Sequence, residues 1–383
     1  MDKDELRAWL RLSMTEGVGN EAARRLLACF GSPQGIFEQT EAALRQVVTP
    51  QQAQALRTEP HELTVQSVRT QHWLAHAPDS CRHALWTLGD RHYPAELLLL
   101  SDPPLMLYVA GQTEMQLGSA IAVVGSRNPT PQGEQTAQQF GEALSAAGLC
   151  VVSGLALGVD GAAHQGALKG MSSRSFPADQ WSTVAVVGTG LDRVYPRQHQ
   201  TLANAILQNG LLISEYHLGT PPLGQNFPKR NRLIAALGLG TLVVEAALKS
   251  GSLITAKMAL DLGREVLAIP GSIHATQSHG CHALIRQGAK LVENAQDVLE
   301  ELQLASPLQV SLFGEALETT SHEPAGNAHP LLTHMGFGPV SLDALHARSG
   351  LDTASLQAQL LSLELDGCIG RLHGGLFQRL APN

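Results

Sequence analysis

Three cationic side chains crowd into Phe227-Pro228-Lys229-Arg230-Asn231-Arg232, and a fourth cation, Arg127, follows Gly125-Ser126 at the end of an apolar run. Arginine can grip a phosphate through two parallel hydrogen bonds, whereas lysine acts as a point charge. The chain also places glycine or serine just beyond other apolar runs, at Ser153-Gly154 and Gly188, and a glycine-serine turn, Gly251-Ser252, at the mouth of a helix-like segment. Such residues let backbone N–H groups face an anion, and a following helix adds the positive end of its dipole. The chemistry predicted is therefore the holding of phosphates. Asn231 offers a cap, and Phe227 offers a ring that either packs under the basic turn or stacks a base. The competing reading makes Lys229, Arg230 and Arg232 a solvated charged face. It is disfavoured because Phe227 and Pro228 fix the turn.

These residues need a frame. Short apolar runs at Ala120–Val124, Cys150–Val152, Val184–Val187, Leu211–Ile213, Thr241–Val244 and Glu265–Ile269 alternate with helix-length segments. Continuous apolar strands interleaved with helices predict an α/β fold: a Rossmann-like, doubly wound, mostly parallel sheet covered on both faces. In such sheets ligands gather outside the carboxyl ends of the strands. Leu105–Val109 reads as an edge strand. The basic stretch reads as a turn that leads into a helix.

Around this core, residues 1–85 read as short helices. Gly17-Val18-Gly19 between two of them resembles a helix-hairpin-helix (SAM-like) turn, and fits a plain helical hairpin equally well. Residues 86–302 form the Rossmann-like unit. Met171–Ser182 is a polar insertion expected as a surface loop. Residues 303–328, with Pro307, Pro324 and Gly326, read as a linker. Residues 329–383 give helix, helix and hairpin, a winged-helix order. The helix over Thr353–Asp366 has no Lys or Arg, so it suits a protein contact better than a DNA groove.

Composition narrows the function. At 383 residues, 44% hydrophobic and 16% charged, the chain is long enough for one sizeable core with smaller additions. A net charge of −8 excludes a surface coated with positive charge, so a nucleic acid would need a local basic pocket. No apolar run reaches membrane-spanning length, and the charged start MDKDELRAWL does not suit a secretory signal. The five cysteines form no CxxC pair and fit a reduced, cytoplasmic chain; the sixteen histidines form no HExxH, so no metal is expected. There is no phosphate-binding P-loop, and Gly188-Thr189-Gly190 lacks the third glycine of a dinucleotide fingerprint, so no cofactor is expected. No nucleophile and base stand at a recognisable spacing, and no catalytic residue is assigned. Asp160, His164, Glu215 and Glu245 fall near strand ends. The carboxylates Asp160 and Glu245 read as pocket-wall groups that would orient Arg127 or Arg232.

Taken together, several stretches resemble the DNA-processing protein A (DprA/Smf) family. They are Val124-Gly-Ser-Arg127, Ser153-Gly-Leu-Ala-Leu-Gly-Val-Asp160 with His164, Gly188-Thr-Gly-Leu-Asp192 with Tyr195-Pro196 and His199, Phe227-Pro-Lys-Arg-Asn-Arg232, and Val244-Glu-Ala-Ala-Leu-Lys-Ser-Gly-Ser-Leu-Ile-Thr-Ala256. The resemblance covers most of the chain. It implies single-stranded DNA binding without base preference, a homodimer, and loading of the RecA recombinase during natural transformation (competence), with single-strand-binding protein as a further partner. It also implies that Ser126, Arg127, Lys229, Arg230 and Arg232 line the DNA pocket. Two features depart from the family pattern: the Met171–Ser182 insertion, and Gly280-Cys281-His282 where glycine, serine and asparagine are usual. About four neutralised phosphates per protomer would give about a fifty-fold loss of affinity from 50 to 200 mM salt. The rival reading is a hydrolase that cleaves the base from nucleoside monophosphates with Arg127 and Glu245. Against it, Leu239-Gly240-Thr241 stands where such enzymes carry a double-glycine turn.

Overall fold

The computed structural model describes residues 1–78, 80–173, 179–304, 329–335, 339–372 and 375–380. Six helices come first: α1 (Lys3–Met14), α2 (Asn20–Phe30), α3 (Pro33–Phe37), α4 (Glu41–Leu44), α5 (Pro50–Arg57) and α6 (Leu63–Ala75). Their starts follow ordinary capping chemistry. Asp2 accepts from two first-turn amides of α1, and Thr49 and Gln52 form a reciprocal capping box on α5. Their apolar faces do not close on themselves. They share one buried cluster with Leu85, Met106 and Tyr108, which lie on the next two strands, and with Leu218.

Those strands are β1 (Arg82–Thr87) and β2 (Met106–Gly111), antiparallel to each other. The expected edge strand is therefore not at an edge, because β1 lies outside it. Residues 1–85 are also not purely helical, since β1 begins at Arg82. There follow β3 (Ala120–Val124), α7 (Pro131–Ala146), β4 (Cys150–Ser153), α8 (Val159–Gly170), β5 (Thr183–Val186), α9 (Gln200–Asn209), β6 (Leu211–Ser214), α10 (Asn226–Leu237), β7 (Gly240–Val243), α11 (Ser252–Asp261), β8 (Glu265–Ala268), α12 (His279–Arg286), β9 (Lys290–Leu291) and α13 (Ala295–Glu301). All nine strands form one sheet in the order β1-β2-β6-β5-β4-β3-β7-β8-β9. From β6 to β9 the pairs are parallel; only β2 runs against its neighbours.

The chain winds outward from β3 to β6, then returns through α10 to place β7 on the other side of β3. The strand order reverses between β3 and β7, which is where ligands bind in such sheets. Ile121 and Val123 face the cluster under α7, α8 and α13, while Ala120, Ala122 and Val124 face the cluster under α10, α11 and α12. The helices α7 and α8 cross at backbone contact. A Cβ on Gly166 would stand 2.0 Å from the Gln138 carbonyl, and one on Gly170 would stand 2.1 Å from that of Glu142. Only glycine permits this approach.

The last elements are α14 (Pro330–Met335), β10 (Val340–Ser341), α15 (Leu342–Ser349), α16 (Thr353–Leu365), β11 (Ile369–Leu372) and β12 (Leu376–Arg379). Asp352 caps α16 by accepting from the amides of Ala354 and Ser355. The three strands form a small sheet, and helices and sheet close on their own apolar cluster. The centre of the expected linker (305–328), part of the insertion (174–178) and part of the hairpin turn (373–374) lie outside the described residues.

Candidate nucleic-acid interface

A cavity of about 480 Å³ opens at the switch point, between the end of β3 and the start of α11. Gly125, Ser126, Arg127, Arg230, Asn231, Gly251 and Ser252 line it, so seven of the thirteen residues expected from the sequence meet there. Arg127 is exposed and makes no ion pair among the described residues. Its guanidinium lies 5.4 Å from the centre of the Phe227 ring. That ring is itself 5.7 Å from Tyr195. At the opposite wall Gly251 is exposed, and its N–H has no partner among the described residues. The amides of Leu253 and Ile254 are already bound to the Ser250 and Gly251 carbonyls. What α11 offers an anion is thus one free amide and the positive end of its dipole.

Several expectations need correction. The basic stretch is not a turn: Phe227–Arg232 lies inside α10. Successive positions on a helix point in different directions, so its cations diverge. Arg230 is 3% exposed, and its Nη1 donates to the Gly154 carbonyl at 2.7 Å and to that of Val186. It ties together the ends of β4 and β5 at the cavity floor. Burial pulls its pKa down to about 10 despite the Asp160 carboxylate nearby. Arg232 turns out of the cavity altogether. It is buried, donates to Glu215, and has Nε 3.4 Å from Asp102 Oδ2. Lys229 is exposed but stands outside the cavity, with Nζ 4.0 Å from Glu215 and 5.9 Å from the Tyr216 ring.

The glycines also act differently from expectation. A Cβ on Gly125 would meet Val159 at 2.7 Å, and one on Gly188 would meet Phe227 at 3.1 Å. On Gly154 it would stand 2.5 Å from the Arg230 guanidinium and 2.6 Å from Asp160. These three leave room for side chains beneath the rim, and only Gly251 borders open space. Ser153, fully buried, donates to the Val123 carbonyl at 2.6 Å and stitches β4 to β3.

The acidic and imidazole groups near the strand ends are wall groups. Asp160 accepts from the Ala156 amide, and burial raises its pKa against the pull of Arg230. His164 is fully buried, hydrogen-bonded through Nδ1 to Thr183, and burial brings its pKa down to about 3. Glu245 orients neither Arg127 nor Arg232. Both of its oxygens accept from Thr130, and burial raises its pKa. At Gly280-Cys281-His282, the Cys281 thiol is buried 3.6 Å from the Val243 carbonyl, and burial pushes its pKa up to about 12. His282 hydrogen-bonds the Gly271 carbonyl at 2.9 Å.

Sequence reasoning missed Asn128, Lys249, Ser250 and Gln277, which also line the cavity. Lys249 is exposed and without an ion pair among the described residues, so with Arg127 it supplies the cavity's accessible charge. Its signal was present, a lysine two residues before the glycine that opens a helix. The accessible cations are therefore Arg127 and Lys249 in the cavity and Lys229 beside it, rather than the three of the basic stretch. Among the described residues no group of three His, Cys, Asp or Glu side chains could hold a metal ion, and no helix is long and apolar enough to cross a membrane.

The family described as DNA recombination-mediator protein A matches residues 84–303, more than half of the chain. The chain belongs to this family. Residues 315–375 match the DprA winged helix domain. Protein Smf of Escherichia coli (strain K12) is 38% identical over 381 residues, covering 96% of this chain and 94% of that protein. The DNA processing protein DprA of Streptococcus pneumoniae is 44% identical over 218 residues, 57% of this chain and 74% of that one. Among solved structures, DNA processing protein A from Streptococcus pneumoniae superposes with a TM-score of 0.63 at 33% identity, over 79% of this chain and 98% of that one. The Helicobacter pylori protein, whose structure concerns a "unique single-stranded DNA binding mode", gives 0.51 at 30% identity, over 58% and 95%. Sequence and fold comparisons thus agree on the Rossmann-like sheet, and the second family model adds a winged helix after it in the chain.

Proposed function

We propose that this chain binds single-stranded DNA through its sugar–phosphate backbone, without base preference and without catalysing a reaction on it. The observation that carries the reading is the pairing of unneutralised Arg127 and Lys249 with the free N–H and dipole of α11 around one open cavity at the switch point. That pairing recognises phosphate and offers no base-edge code. The single-strand binding named for the Helicobacter pylori relative supports the same ligand. The proposal extends to the role implied by the family resemblance: a homodimer that protects incoming strands and loads RecA, with single-strand-binding protein as a further partner. A dimer would set two cavities on one strand and raise avidity through effective concentration. The nucleoside-monophosphate hydrolase reading needs Glu245 beside Arg127, but Thr130 occupies both Glu245 oxygens.

The test is competition among unlabelled oligo-dT, oligo-dA and oligo-dC for a labelled oligo-dT. Equal competition is expected. A strong preference for one base would contradict backbone recognition. Release of free base from nucleoside monophosphates would restore the hydrolase.

A further inference from the structure

The loop from Ser126 to Thr130 carries Arg127 into the cavity and is held at three points. The Ser126 carbonyl accepts from the Val159 amide at 3.1 Å. The Asn128 carbonyl accepts from Gln277 Nε2 at 2.9 Å. At its far end Thr130 donates twice to Glu245, from its amide to Oε2 at 2.9 Å and from its hydroxyl to Oε1 at 2.6 Å. The same hydroxyl accepts from the Gly133 amide at 3.0 Å, capping α7. Glu245 comes two residues after Val243, the last of β7, so one carboxylate fastens the loop after β3 to the end of the neighbouring strand. With Thr130 and Gly133 it lines a second cavity of about 320 Å³, whose lining does not include Arg127. Gly133 leaves just enough room for the group, since a Cβ there would stand 2.3 Å from the Glu245 carboxyl carbon.

We infer that Glu245 is a positioning residue: by clamping Thr130 it fixes the loop that presents Arg127 to the DNA backbone. The inference rests on the single-strand-binding reading above. A carboxylate that accepts two hydrogen bonds from one residue restrains both that residue's position and its orientation. Glutamine at 245 keeps the volume but loses the charge: its amide nitrogen cannot accept from the Thr130 hydroxyl, so that charge-assisted bond is replaced at best by a weaker neutral one donated by the amide to the hydroxyl. Alanine at 133 displaces the carboxylate without changing any charge, and helix propensity by itself would favour that substitution.

The experiment measures oligo-dT affinity and its salt dependence by fluorescence anisotropy. It compares wild type, Glu245→Gln, Gly133→Ala, Thr130→Ser, Arg127→Ala and the double variant Arg127→Ala with Glu245→Gln, each first checked by circular dichroism melting. Glu245→Gln and Gly133→Ala are expected to bind about tenfold more weakly, the scale of one charged hydrogen bond. Each should also lose about 0.7 from the slope of log affinity against log salt, the share of one phosphate contact. Thr130→Ser keeps the hydroxyl and should bind as wild type. Glu245→Gln should add nothing once Arg127 is gone. If it weakens the Arg127→Ala protein as much as it weakens wild type, or if Glu245→Gln and Gly133→Ala both bind normally while Arg127→Ala does not, the positioning role is refuted and the DNA reading stands. If Arg127→Ala binds as tightly as wild type, the DNA reading itself falls and the positioning role falls with it.

Discussion

Removing Arg127 should change how binding responds to salt, not only how tight it is. Three accessible cations stand at or beside the cavity: Arg127, Lys249 and Lys229. Each single-strand phosphate contact contributes about −0.7 to the slope, so three contacts give about −2.1, or about an eighteen-fold loss from 50 to 200 mM salt. Arg127→Ala should leave about −1.4, a loss of about seven-fold, and adding Lys249→Ala should leave about −0.7, a loss of about 2.6-fold. Arg232→Ala is the control. Its guanidinium is committed to Glu215 outside the cavity, so folded Arg232→Ala protein should keep the full slope. Fluorescence anisotropy with a labelled oligo-dT at four or more salt concentrations reads all of these. If Arg232→Ala flattened the slope as much as Arg127→Ala, the division of cations into accessible and buried would be wrong.

Two further outcomes concern stability. Arg232→Ala leaves the buried Glu215 carboxylate without its guanidinium, and breaking a buried pair from one side costs about 3–5 kcal/mol; a loss below about 1 kcal/mol in urea denaturation would contradict it. His164 has its pKa lowered to about 3 by burial, so the stability it contributes is complete above about 6.5 and is lost as pH falls from there toward 3. Replacing it with asparagine should remove up to about 1.4 kcal/mol per pH unit from the acid-side slope, and parallel curves for the two proteins between pH 6.5 and 4.5 would refute the assignment.

Most of the sheet was legible because its signal is local. Ala120–Val124 is a continuous apolar run bounded by small residues, and the strand has those same limits. Asp352, a capping residue just before Thr353, is an equally local signal for the start of α16. The basic stretch was misread because Pro228 was taken for a turn residue. It is the third residue of α10, where the missing N–H has no helical acceptor to lose. The fate of its arginines is tertiary: Arg230 serves carbonyls of Gly154 and Val186, far away in the sequence. Strand β1 was missed because Arg82-His83 opens it with polar residues, and pairing with β2 is what makes it a strand. Glu245 looked like a partner for arginine because its neighbour across the rim, Thr130, cannot be seen in the sequence.

Amide hydrogen exchange with and without a saturating oligo-dT tests the central claim most directly. Protection is predicted in two segments separated in sequence, residues 125–130 and 247–255, which both contribute to the lining of the cavity between β3 and α11. Protection confined to α5 or α16, with those two segments exchanging as fast as in the free protein, would contradict it.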